Sequence, residues 1–125
     1  MNIERKTIFL VDDDATNLTI GKIALAERYK VLTLDSGVRL LKILEKSIPD
    51  LILLDVEMPV MSGYETIKIL KSQNETKHIP VIFLTAKIGN EHRTEGLSCG
   101  AVDYITKPFS SQHLLQQIEV HLGGG

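Results

Sequence analysis

Short apolar runs and longer segments of mixed polarity alternate along the chain. Four runs are rich in β-branched or bulky residues: TIFLV (7–11), KVLTL (30–34), DLILLD (50–55) and PVIFLT (80–85). A fifth and weaker run is AVDYIT (101–106). The third and fourth are nearly continuous rather than alternating, which suits strands buried on both faces of a parallel sheet. Between the runs, apolar positions recur at helical spacing. In 17–28, Leu18, Ile20, Ile23, Ala24 and Leu25 are expected to cluster on one side. In 36–47, Val38, Leu41 and Leu44 fall in step with Ile48 just beyond, and Ser36 is a candidate N-cap. Segment 62–73 starts on Ser62 and carries Tyr64, Ile67, Ile69 and Leu70; segment 110–122 carries Leu114, Leu115, Ile118 and Leu122 in register. Segment 89–100 is a weaker helix, because Gly96 lowers its propensity.

Strand then helix, repeated five times, predicts an α/β fold: a doubly wound parallel sheet with helices on both faces and right-handed crossovers. In such sheets the ligand site lies beyond the C-terminal ends of the strands. The first strand ends there in Asp12 and Asp13, the third in Asp55 and the fourth in Thr85, and Lys107 follows the fifth. These neighbouring ends would gather three carboxylates, a hydroxyl and an ammonium in one crevice.

Such a cluster needs counter-charge. Lys107 supplies one positive charge, and a divalent cation would supply the rest. Hard carboxylate oxygens with room for water suit Mg²⁺ or Mn²⁺. An aspartate beside such an ion can attack phosphorus and form an acyl phosphate, with Lys107 and the Thr85 hydroxyl binding the other phosphoryl oxygens. Taken singly, each residue has a plainer reading: a terminal Asp is a turn former or helix cap, and Thr85 is a strand residue. Their convergence on one edge favours the site.

The totals change this picture little. A chain of 125 residues is the size of one domain, and its net charge of −2 disfavours nucleic acid as a direct partner. The single Cys99 cannot form an internal disulfide and reads as a small buried hydrophobe, which suits a reducing, cytoplasmic setting. No apolar stretch is long enough for a membrane span, and MNIERKT lacks the apolar core of a secretory signal. Gly123 to Gly125 read as a flexible linker or an added tail, leaving 1–122 as the domain. His78, His92, His113 and His121 fall on different segments and are read as surface residues.

Four motifs together resemble the receiver domain of two-component response regulators, the CheY-like superfamily. They are the acidic pair Asp12–Asp13, LILLDVEMPVMSGYE around Asp55, VIFLTA ending the fourth strand, and GAVDYITKPF with Lys107. The resemblance covers nearly the whole chain. It implies a flavodoxin-like fold with strand order 2-1-3-4-5. It implies that Asp55 takes a phosphoryl group from a phosphohistidine on a sensor histidine kinase or histidine phosphotransfer protein. Asp13, Asp55 and the Glu57 backbone carbonyl would ligate Mg²⁺, with Asp12 acting mainly through water. Lys107 would pair with the phosphoryl group, and the peptide before Pro108 would be cis. Thr85 would turn toward the phosphoryl group and Tyr104 rotate inward behind it, altering the face made by the fourth helix, fifth strand and fifth helix. The affected partner would be an output domain in the same chain or a separate protein, and phosphorylation-dependent homodimerisation stays open. The run LLQQIEVHL resembles receivers fused to enzymatic outputs or hybrid kinases, since this helix lacks the basic residues of dimerising transcription-factor receivers. Asp14 reads as a solvent-facing start to the first helix, where negative charge suits the dipole. Glu57 and Lys87, each two residues beyond a site residue, are candidates for tuning loss of the phosphoryl group. Partner contacts are expected on the first helix around Leu18 and on the loop after the fifth strand.

Two rival readings remain. IFLVDDDAT also fits the strand-plus-DxDxT signature of haloacid-dehalogenase-type phosphatases, with Asp12 as nucleophile and Asp14 as general acid. Against it, no acidic pair follows Lys107, a cap domain does not fit, and the segment around Asp55 goes unexplained. The other rival is a receiver-like module that signals by protein contact alone, which the intact set of Asp13, Asp55, Thr85 and Lys107 disfavours.

Overall fold

The protein is described by a computed structural model over residues 5–86 and 98–122. Five strands, β1 (Thr7–Val11), β2 (Lys30–Leu34), β3 (Leu51–Asp55), β4 (Val81–Thr85) and β5 (Asp103–Thr106), form one sheet in the order β2-β1-β3-β4-β5. Every neighbouring pair is parallel. The described helices are α1 (Ala15–Leu25), α2 (Gly37–Leu44), α3 (Gly63–Lys71) and a C-terminal helix (Ser111–Leu122). The helix expected over 89–100 falls almost wholly outside the described residues, as do His92 and Lys87.

Alternation along the strands sorts the core into two layers. Phe9, Val11, Ile52, Leu54, Val81 and Phe83 face α2 and α3, where Leu40, Leu44, Ile67 and Leu70 meet them. Ile8, Leu10, Leu51, Leu53, Ile82, Leu84 and Ile105 face the other way, onto Leu25 of α1 and Leu114 and Ile118 of the C-terminal helix. β3 and β4 are buried at every position, so their unbroken apolar runs are the signature of a two-sided core. β2 and β5, at the edges, are only partly buried. Each fully buried Leu, Ile or Phe contributes about 1.5–3 kcal/mol relative to exposure.

The expected helix faces need correction at four positions. Ile20 and Ile23 are 49% and 72% exposed, and Val38 and Ile48 also face solvent. The buried face of α1 runs through Gly21 and Leu25, with Leu18 packed beside it. A Cβ at Gly21 would lie 2.6 Å from a Leu10 methyl, so the glycine draws this side of the helix onto β1 and turns Ile20 and Ile23 outward. In α2 the inward positions are Gly37, Leu40 and Leu44, one step away from Val38. α1 also starts at Ala15, two residues earlier than the periodicity implied, because Asp14 caps it. Cys99 is half-buried against the α2–α3 layer. His121 is not a plain surface residue: its Nε2 lies 2.8 Å from Asp103 Oδ2 and ties the last turn of the C-terminal helix to β5.

The segment from β3 to α3 is tightly held. Gly63 N donates to Val56 O at 2.8 Å, and Val56 N donates to Leu84 O at 3.0 Å. Ser62 and Glu65 form a reciprocal cap at the start of α3. A Cβ on Gly63 would sit 2.4 Å from Asp55 O, so only glycine lets the helix start press against the strand end. Within the same loop Met61 N donates to Pro59 O at 2.7 Å, and Val60 between them has φ of 69°. A β-branched residue pays strain there. Two substitutions in one loop should therefore act oppositely in chemical denaturation. Gly63→Ala should lower stability by about 2–4 kcal/mol, and Val60→Gly should raise it by about 1 kcal/mol.

Candidate active site

The sheet order reverses between β1 and β3, and the candidate residues stand at that reversal. Asp12 follows β1 directly and is buried; its backbone N donates to Leu34 O at 3.1 Å, which fixes the strand end. Asp55 is the last residue of β3 and is also buried. Thr85 ends β4 and is buried beside them in sequence register with Thr106 of β5. Lys107 follows β5, anchored by its backbone N donating to Thr85 O at 2.7 Å. The Lys107–Pro108 peptide is cis.

The three consecutive aspartates divide their work. Asp12 turns inward and accepts from Lys107 Nζ through Oδ2 at 2.8 Å, while its Oδ1 accepts from Asp14 N at 2.9 Å. Asp13 is exposed yet close enough to Asp55 that one oxygen each from Asp12, Asp13 and Asp55 lies within 4.8 Å of the others. Asp14 points away and caps α1, accepting from Thr16 N at 2.8 Å and Asn17 N at 3.4 Å. That cap engages the side chain which the phosphatase reading would need as general acid.

Lys107 is the positive centre of the group. Its Nζ lies 2.8 Å from Asp12 Oδ2 and 3.1 Å from Asp55 Oδ1. Burial opposes its charge, but its bonds to Asp12 and Asp55 prevail and raise its pKa above the ordinary lysine value. Asp55 is moved the other way from a surface carboxylate. Burial first, and then the charge of Asp12, push its pKa up to about 7, and Lys107 only partly offsets them. One ammonium therefore does not neutralise the three carboxylates. The set of hard oxygen donors fits a Mg²⁺-type cation, which would supply the charge that Lys107 cannot.

Glu57 is exposed, and its backbone N donates to Asp55 Oδ1 at 3.3 Å, orienting that carboxylate. Tyr104 stands opposite Phe83 in the β4–β5 register, one same-face pair below Thr85, and is half-buried against the core. The structure thus brings Asp12, Asp13, Asp55, Thr85 and Lys107 to one rim, with Glu57 and Tyr104 adjoining it; Lys87 lies outside the described residues. Residues 1–4 and 123–125 lie outside them as well.

Known proteins resemble this chain in sequence and fold. Residues 8–119 match the family model of the response regulator receiver domain. The chain is 42% identical over 97% of its length to a probable cyclic di-GMP phosphodiesterase of Vibrio cholerae, of which it spans 27%. It is 36% identical to the polar-differentiation response regulator DivK of Brucella ovis, covering 94% of this chain and 97% of DivK. The receiver domain of the sensor histidine kinase PA1611 of Pseudomonas aeruginosa PAO1, solved with magnesium coordinated in its active-site cleft, superposes with a TM-score of 0.87 at 29% identity, covering 95% of this chain and 98% of that one. No helix among the described residues is long and apolar enough to cross a membrane. With its five-stranded parallel sheet and acidic rim, this chain belongs to the response regulator receiver domain family of two-component signalling.

Proposed function

We propose that residues 1–122 act as a cytoplasmic phosphoacceptor, with Asp55 receiving a phosphoryl group from a phosphohistidine on a sensor histidine kinase or phosphotransfer protein. The observation that carries this reading is the position of Lys107 Nζ, 2.8 Å from Asp12 and 3.1 Å from Asp55 at the switch point of the sheet. Asp12, Asp13, Asp55 and the Glu57 carbonyl would hold Mg²⁺. When bound, that ion lowers the repulsion between the carboxylates and an incoming phosphoryl group.

The chain's own residues account for the rest. An Asp55 oxygen attacks phosphorus, the phosphorus–nitrogen bond of the donor breaks, and its electron pair returns to the donor imidazole. Lys107 holds the Asp55 carboxylate in place and then pairs with a phosphoryl oxygen. Its backbone bond to Thr85 O fixes the base of that side chain at the strand end. The Thr85 hydroxyl turns to the phosphoryl group, and Tyr104, one same-face pair below, moves into the space released. The shifted surface is read by an output domain or a partner protein, a population shift between two arrangements.

Phosphoramidate and Mg²⁺ should add one phosphoryl group to the parent chain by intact mass. Omitting Mg²⁺, or replacing Asp55→Asn, should abolish it, and persistent labelling of Asp55→Asn would overturn the assignment.

The raised Asp55 pKa gives a stability test with a definite sign. Ionised Asp55 is disfavoured in the fold, so its cost is absent below the unfolded carboxylate value near 4 and grows as pH rises through about 7. In metal-free urea denaturation at about pH 8, Asp55→Asn should be more stable than the parent by about 1–2 kcal/mol, the gain vanishing below about pH 4. Added Mg²⁺ should stabilise the parent more than the variant.

Glu57 and Lys87 stand two residues beyond Asp55 and Thr85 in sequence, and we read their opposite charges as tuning the loss of the phosphoryl group from Asp55. Glu57→Ala and Lys87→Ala should each shorten the lifetime of the phosphorylated chain, on the order of two-fold. Unchanged lifetimes in both would remove this role.

A further inference from the structure

The β2 edge carries charge of the opposite sign to the acidic rim. Among the described residues, β2 ends the sheet and pairs with β1 alone. Lys30 N donates to Lys6 O at 2.9 Å, and Asp12 N donates to Leu34 O at 3.1 Å. Backbone groups alternate in direction along a strand, so the even-numbered residues of β2 turn theirs to β1, and Val31 and Thr33 turn theirs to the free edge. Leu32 in the same strand is 38% exposed.

α2 overhangs this edge with two different flanks. On the side toward α3, Leu41, Leu44 and Glu45 line a cleft with Ile69 and Gln73. On the opposite flank, Arg39, Lys42, Ile43 and Lys46 enclose, with Leu34 of β2, a cleft of about 290 Å³. Arg39, Lys42 and Lys46 stand at i, i+3 and i+7, so their cations form one stripe along the helix and just past its end. Leu34 and Ile43 make an apolar floor beneath it. Among the described residues no carboxylate lines this cleft. Asp35 meets Arg39 at 3.3 Å from outside, and Glu45 faces the other cleft. The chain as a whole carries a charge of −2, so the cationic stripe is a local segregation.

We propose that this groove binds an extended acidic peptide segment, which adds to β2 as a further strand and lays its carboxylates along Arg39, Lys42 and Lys46. The unpaired edge supplies backbone bonds at Val31 and Thr33, the stripe supplies charge complementarity, and Leu34 and Ile43 accept an apolar side chain. A second copy of this chain is the wrong occupant, because β2 against β2 would bring two cationic stripes together. A membrane surface is disfavoured too, since the apolar floor is recessed between helix and strand. Lysines beside an edge strand also guard against unwanted pairing, but that role alone predicts no uptake of an acidic strand.

The test uses a fluorescein-labelled peptide of about ten residues, alternating Glu and Val, long enough to cover an edge strand. Anisotropy at low ionic strength should show saturable binding to the parent chain, weakened by added salt. The double variant Lys42→Glu/Lys46→Glu, checked by circular dichroism for an intact fold, should bind on the order of ten-fold more weakly. The same peptide N-methylated at alternate amides should lose binding, and the Thr33 amide should gain hydrogen-exchange protection only with the unmodified peptide. The proposal is overturned if the peptide does not bind, if charge reversal leaves affinity unchanged, or if the N-methylated peptide binds equally well. It is also overturned if mixed phosphatidylcholine–phosphatidylserine vesicles bind through Lys42 and Lys46 while the peptide does not.

Discussion

The placement of one ammonium group between two buried carboxylates is the constraint from which the rest of the site follows. Lys107 Nζ touches Asp12 and Asp55 while both acids are withdrawn from water. Removing the ammonium would leave two buried carboxylates uncompensated, which is far more costly than losing an exposed ion pair. Even with the lysine in place the balance is incomplete, since Asp13 stands close by and Asp55 is pushed up to about 7, chiefly by burial. An incompletely neutralised group of hard oxygen donors is well suited to a divalent cation and to the phosphoryl chemistry proposed for Asp55.

The fold makes that placement possible by topology rather than by sequence proximity. Asp12 and Lys107 are 95 residues apart and meet because parallel strands direct all their C-terminal ends to one rim. Asp12 and Asp55 meet because β1 and β3 are neighbours at the point where strand order reverses. The strands can run this way only with helices on both faces, which explains the two-layered core and the buried runs of β3 and β4. Local devices then set the final geometry. Gly63 lets α3 begin against the Asp55 backbone, and the Asp14 cap turns the third aspartate out of the cluster.

The strands and their acidic ends were legible in the sequence because one signal, apolar runs ending in polar residues, repeats five times along the chain. Helix faces were less so. Ile20 and Ile23 look like core residues in a helix apolar on several sides, and the contact that turns them outward is a packing event between Gly21 and Leu10. The pairing of His121 with Asp103 joins residues on separate elements and leaves no periodic trace. Nor does the turn that holds Val60 at positive φ: the preference there is for glycine, and valine conceals it. Lys71 is similar, an apparently ordinary surface lysine whose Nζ donates to Lys77 O and Ile79 O and whose pKa is lowered by burial. Periodicity reports which side of an element is apolar. It is silent on contacts that depend on how closely two elements approach.

The account's central claim is that the Asp55 oxygen, and not Asp12, is the nucleophile that Lys107 and a divalent cation prepare. Borohydride reduction converts an aspartyl phosphate to homoserine and so marks the residue that carried it. After treatment with phosphoramidate and Mg²⁺, reduction and peptide sequencing by mass spectrometry should place homoserine at position 55. Homoserine at position 12, or a phosphoryl group retained on a residue outside the acidic rim, would contradict the account.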